Sequence, residues 1–132
     1  MTGNYPQYVV HWKTGVGELT DGSVYMTPIT GFSAQTSHIT LTMDGALTLR
    51  AGYVWDFGSG PAIDTPAMVY ASLAHDAFYE LMVTNLLAWG NRKAVDKYFK
   101  RLLKEARMPW LRRQWVYAGV RWGYPILKFF KN

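Results

Sequence analysis

Residues 38–50 read HITLTMDGALTLR. Ile39, Leu41 and Met43 alternate with polar residues, Asp44-Gly45 interrupts, and Leu47 and Leu49 resume the alternation. A period of two puts every second side chain on one face, so the stretch reads as a half-buried β-hairpin, with Asp-Gly supplying the positive φ angles of a two-residue turn. Outward from it, short segments rich in Val, Ile, Thr and Tyr lie between Gly, Asp and Pro, and strands are expected at residues 8–12, 23–29, 38–43 and 46–54.

After Asp56 the period changes. Phe57-Gly58-Ser59-Gly60-Pro61 cannot continue a regular strand and reads as part of a connecting loop, residues 57–65, with accessible backbone groups. Thr65 followed by Pro66 is a helix start, a hydroxyl cap and a proline where no N–H is needed, and predicts a helix from 66 to about 86. A second helix is expected after Asn91, taken as its cap, to about residue 107, with Val95, Phe99, Leu102 and Ala106 at helical spacing. Pro109 separates it from a third, residues 110–122, which Gly123 and Pro125 stop before an apolar, basic tail. The expected fold is α+β: antiparallel β-hairpins or a small sheet in residues 1–56, packed against about three C-terminal α-helices in residues 66–132, as one domain.

The 132 residues are 49% apolar and 16% aromatic, which is enough to build a core and excludes disorder as the overall state. Charges interrupt every apolar run before the roughly 18–20 residues that a membrane-spanning helix needs, and no basic stretch followed by an apolar one marks a leader. With no Cys there is neither a disulfide nor a thiolate metal site, as in a reducing compartment. The net charge of +5 conceals two halves: residues 91–132 carry twelve Lys or Arg against Asp96 and Glu105, whereas residues 1–90 carry two against seven carboxylates. Such polarity suits an anionic surface, or merely solvates exposed helix faces.

Ionisable residues on apolar helix faces carry the functional signal, because burying an unpartnered charge is costly. His75 has Ala71 at −4, Phe78 at +3 and Met82 at +7, which sets the imidazole in an apolar stripe. Asp96 has Phe99 at +3 and Leu103 at +7 on the next helix. A His75–Asp96 hydrogen bond across an antiparallel helix pair would fix the imidazole tautomer and raise its basicity, as a general base requires. Asp76 lies about 100° round the helix and, facing carbonyls of the Gly58–Gly60 loop, would make an all-oxygen set suited to a hard cation such as Ca²⁺, while Asp56 at the strand end reads equally as a further ligand or as a hydrogen-bond acceptor that orders the loop. Tyr79, one turn from His75, can brace either carboxylate. The same four residues would equally serve as a satisfied polar network within a core. Ser59 between adjacent glycines is not a nucleophile elbow, and His11 and His38, in strand segments, read as surface or barrel-edge residues. The tryptophans read as packing rather than base-stacking groups and no recognition motif is present, so nucleic acid is not an expected partner.

Two resemblances add to this. The run GYVWDFGSGPAIDTPAMVYASLAHDAFYELM, with NRKAVDKYF and YAGVRWGYP, resembles a family of phage and prophage proteins classed as a domain of unknown function, through WD-x-x-SGP, HD-x-x-Y and R-x-x-x-D. It covers residues 38–125 and implies phage origin, in the host cytoplasm or the virion, and a β part packed on C-terminal helices. HDAFY, with Asp96 following His75 by 21 residues, is similar to the catalytic helices of phospholipases A2. That similarity implies His75 as base, Asp96 as its orienter, Asp76 as Ca²⁺ ligand with Gly58 and Gly60, and hydrolysis of an ester or lipid. The basic half, with Arg112, Arg113, Arg121, Lys128 and Trp115, would then meet an anionic lipid surface. The alternative is a non-enzymatic tail, baseplate or assembly protein, partnered by other phage proteins, in which the polar cluster locks the fold.

Overall fold

The structure, a computed structural model, describes residues 7–11, 16–56, 66–111, 113–114 and 117–118. The strands are β1 (Tyr8–His11), β2 (Val16–Leu19), β3 (Ser23–Met26), β4 (Ala34–Gln35), β5 (Ile39–Leu41), β6 (Ala46–Leu49) and β7 (Val54–Asp56). They form two antiparallel sheets, ordered β1-β2-β7 and β3-β6-β5-β4, followed by α1 (Pro66–Val83), a 3₁₀ turn (Trp89–Asn91) and α2 (Arg92–Glu105). The architecture is α+β with the helices C-terminal, but it corrects the expectation of about three helices: two α-helices are assembled among the described residues, and the expected β-hairpins or small sheet are two sheets. Residues 110–111, 113–114 and 117–118 have helical backbone without making up a bounded third helix among the described residues.

The hairpin at 38–50 pairs Ile39 with Leu49 and Leu41 with Leu47, and these four side chains fill the inner face while Thr40 and Thr48 face outward. Its turn holds three residues rather than two. Gly45 N–H donates to the Thr42 carbonyl and Thr42 N–H to the Ala46 carbonyl, with Gly45 at φ +91°, so a turn plus bulge joins the strands. The strand expected over 46–54 breaks at Gly52, whose φ is +93°, and that break delivers β7 to the other sheet. β2 went unforeseen because Gly17 reads as punctuation. In the fold Gly17 lies under the Trp55 ring, where a Cβ would stand 2.9 Å from the indole.

α1 is buried nearly all round, with Ala71, Leu73, Ala74, Ala77, Phe78, Leu81 and Met82 all inaccessible, as befits a central helix. The Tyr25 hydroxyl ties it to the four-stranded sheet by donating to the Tyr70 carbonyl at 2.7 Å. α1 ends before residue 86 because Asn85 turns left-handed at φ 63°, with Asn85 N–H bonded to the Met82 carbonyl and Leu86 N–H to that of Leu81. Arg107 stops α2 in the same manner, at φ 64°. Asn91 precedes α2 but makes no capping bond; its amide donates to the Ala88 carbonyl instead. One hydrophobic cluster runs through both sheets and both helices, from Leu19 to Met108.

Candidate active site

As α1 advances from His75 to Tyr79, the facing residues of α2 retreat from Phe99 to Arg92, so the helices are antiparallel and their polar residues meet. Asp96 is fully buried, and His75 is 8% exposed. His75 Nε2 lies 2.7 Å from Asp96 Oδ1, and the Tyr79 hydroxyl donates to the same oxygen at 2.6 Å. Arg92 Nε donates to the Tyr79 oxygen at 3.0 Å and stands 4.0 Å from Asp96 Oδ2. The imidazole rests against the Tyr79 and Phe99 rings, with centroids 4.2 and 5.0 Å away, and Trp89 packs edge-on to Tyr79 at 6.1 Å. Packing and hydrogen bonding thus hold the imidazole in a single plane.

A carboxylate that accepts from both His75 and Tyr79 assigns the imidazole proton to Nε2 in the neutral ring. Nδ1 then carries the lone pair, and among the described residues no hydrogen bond is made to it. Burial, then the hydrogen bond to Asp96 and its charge, push the Tyr79 phenol well above its ordinary range, with Arg92 pulling weakly the other way. Tyr79 is therefore a neutral donor at any ordinary pH.

The network borders a cleft of about 320 Å³ between β7 and α1, lined by Tyr53, Val54 and Trp55 on one side and by His75, Asp76, Tyr79, Glu80 and Val83 on the other. Burial, followed by the charges of Asp76 and Glu80, drives the Tyr53 phenol far up, so the carboxylates project a negative field onto that wall. A cleft with a poised imidazole, a phenol and two carboxylates can take a proton from water or a hydroxyl, and can attract a cation.

The family described as Protein of unknown function (DUF1353) matches residues 35–120. The chain belongs to that family. No curated protein and no solved structure matches it. The DUF1353 segment starts at β4 and takes in the whole network, so His75, Tyr79, Arg92 and Asp96 all lie inside the matched residues, whereas β1, β2 and β3 lie outside.

Of the residues singled out in the sequence of this DUF1353 chain, the structure brings His75, Tyr79 and Asp96 into direct contact and sets Asp76 on the same cleft. Gly58 and Gly60 lie outside the described residues, as does the side chain of Asp56, whose backbone ends β7 opposite Val16. Among the described residues no three His, Asp or Glu side chains converge as a metal cluster. Arg113 donates to the Met108 carbonyl at 3.1 Å, and Arg112, Arg121, Lys128 and the Trp115 side chain lie outside the described residues. His11 is exposed on the edge strand β1, the surface position expected of it, and pairs with Glu18 at 2.9 Å. No helix among the described residues is long and apolar enough to cross a membrane. Sequence reasoning missed Arg92, Tyr53 and Glu80 as site residues. Arg92 had a signal, its i,i+4 spacing to Asp96, while Tyr53 reaches the cleft only through packing of sheet on helix.

Proposed function

We propose that this chain is a hydrolase in which His75, oriented by Asp96 and braced by Tyr79, activates water against an ester, with a lipid ester as the first substrate class. The observation that carries this reading is an imidazole hydrogen-bonded to a buried carboxylate on the wall of a cleft that also holds Asp76. The water oxygen forms the new bond to the carbonyl carbon while His75 Nδ1 takes its proton. The tetrahedral species then expels the alcohol oxygen, which collects that proton from the imidazolium. Asp96 stays ionised and stabilises the imidazolium, and Tyr79 spares it a lone buried charge. Asp76 is the carboxylate that would hold a hard cation, Ca²⁺ before the softer metals. Such a cation, when bound, supplies electrostatic stabilisation of the carbonyl oxygen. Phage origin, and attachment to an anionic lipid surface through the basic C-terminal half, belong to the same reading.

The test is fatty-acid release from mixed anionic liposomes, with Ca²⁺ or with chelator, by wild type and by His75→Ala. Calcium-dependent release that the variant loses supports the reading. Release by the variant at the wild-type rate sinks the mechanism. Complete burial of Asp96 between the two helices favours a second reading, a non-enzymatic phage tail, baseplate or assembly protein with a structural network. It gains if liposomes yield no fatty acid and Ca²⁺ leaves the melting temperature unmoved.

A further inference from the structure

Arg92 cannot reverse its role in a hydrogen bond, because a guanidinium has donors only and stays charged across the accessible pH range. Tyr79 can reverse its own: a phenol both donates and accepts. Since Arg92 Nε occupies the Tyr79 oxygen at 3.0 Å, the phenolic proton has to point away from it, toward Asp96 Oδ1 at 2.6 Å. With Asp96 as a carboxylate, its Oδ1 accepts from His75 Nε2 as well, 2.7 Å away. The direction Arg92→Tyr79→Asp96←His75 follows from two fixed points, a guanidinium that can only donate and a carboxylate that can only accept.

The charge acts in the same sense. Arg92 stands 4.0 Å from Asp96 Oδ2 with its side chain only 20% exposed, so it opposes protonation of the carboxylate without full screening by water. The helix terminus itself gives no reason for a cation there: Arg92 is the first residue of α2, where the helix dipole disfavours positive charge, and the first turn holds no acidic residue, so the carboxylate it answers to is Asp96, its i,i+4 neighbour.

We propose that Arg92 is a positioning residue that sets the direction of the hydrogen-bond chain and, through Tyr79 and Asp96, the tautomer of His75. Its consequence for turnover rests on the hydrolase reading, but its effect on the imidazole does not. Without the guanidinium the phenol is free to turn, a proton can settle on Asp96 and be donated to Nε2, and the Nδ1–H tautomer, whose lone pair faces the wrong partner, becomes accessible.

The experiment is nitrogen-15 NMR of the His75 ring in the full chain at a pH where it is neutral, on wild type, R92M, R92K and R92Q, with thermal melts alongside. The wild type is expected to show one tautomer, protonated at Nε2. R92M and R92Q should lose that single state to a mixture containing Nδ1–H, and R92K, a donor of the same charge, should restore it. R92Q keeps the question open to measurement should R92M fail to fold, since it fills similar space and its amide can turn either way. A pure Nε2–H signal in R92M or R92Q overturns the proposal, as does a wild type protonated at Nδ1. A variant that scrambles the tautomer in a protein that releases no fatty acid from liposomes upholds the role of Arg92 and rejects the hydrolase reading alone.

Discussion

Asp96→Asn changes one atom of a side chain with no exposure, and it separates a carboxylate's work from its shape. Oδ1 accepts two bonds at 2.7 and 2.6 Å, from His75 and Tyr79, so a neutral oxygen in its place keeps both partners but loses their charge assistance. The new amide nitrogen then sits where Oδ2 stood, 4.0 Å from Arg92 Nε, with donor facing donor. The flipped amide is worse, since it sets an NH₂ between the imidazole N–H and the phenolic O–H, and Arg92 leaves that phenol nowhere to turn. Halving two charge-assisted bonds costs about 1 kcal/mol each, and the opposed donors add about as much again, for a loss of about 2–4 kcal/mol. In a domain of this length that lowers the melting temperature by about 8–15 °C. The measurements are urea unfolding and thermal circular dichroism, with liposome hydrolysis beside them at a temperature where the variant is folded. Turnover should fall at least tenfold in the folded variant, because the imidazole no longer has an anion to orient it. Stability within about 0.5 kcal/mol of wild type, together with wild-type turnover, would refute the geometry on which the site rests.

Burial comes first among the causes that hold the phenols of Tyr25, Tyr53, Tyr79 and Tyr98 above their ordinary value, so the fold favours four neutral phenols that the unfolded chain ionises near about pH 10. Their stabilisation is complete below that pH and is lost as pH rises through it; the melting temperature should be level from about pH 8 to about 9.5 and fall beyond about 10, with the phenolate absorbance of these four, out of nine tyrosines, appearing together with unfolding. Gly45→Ala places a Cβ 2.2 Å from the Thr27 carbonyl oxygen at a φ of +91°, so the β5–β6 turn has to shift, and urea unfolding should show a loss of about 2 kcal/mol or more. Glu105→Ala removes only an exposed partner of Arg101, 3.5 Å away on the solvent face of α2, and should change stability by less than about 0.5 kcal/mol in the same assay.

Legibility in the sequence followed the range of the interaction. The 38–50 hairpin could be read because alternation is local: Ile39, Leu41, Leu47 and Leu49 declare one face whatever packs on it. β2 could not, since Gly17 looks like a break until Trp55, 38 positions later, is laid across it. The His75–Asp96 bond was legible because each residue interrupts an apolar helical stripe, and a short connection between helices brings such stripes together. Tyr79 was assigned to either carboxylate, and only packing decides for Asp96. Arg92 escaped because an arginine at a helix start normally faces solvent, so its pull toward Tyr79 appears only when both helices are in place. The β7 wall of the cleft was invisible for the same reason: no local pattern says that Tyr53 and Trp55 will face a helix that begins ten residues after the strand ends.

The chemistry of this helix interface also argues against an accidental network. A buried carboxylate costs several kcal/mol of desolvation, which leucine at position 96 would avoid, and apolar replacements of buried ion pairs are often neutral or stabilising. Here the compensation is unusually complete: two donors converge on one carboxylate oxygen, a guanidinium stands behind the other, and Trp89 and Phe99 close the sides. A network used only to lock α1 on α2 has no need for an edge on a cleft, yet His75 and Tyr79 both line one, beside Asp76 and Glu80. The part of the assembly that reaches the cleft, His75 and Tyr79, is the part hydrogen-bonded to the buried carboxylate. That division, with a shielded anion behind and an imidazole in front, is the arrangement a general base requires, and it is why the hydrolase reading is proposed for His75 ahead of a purely structural one.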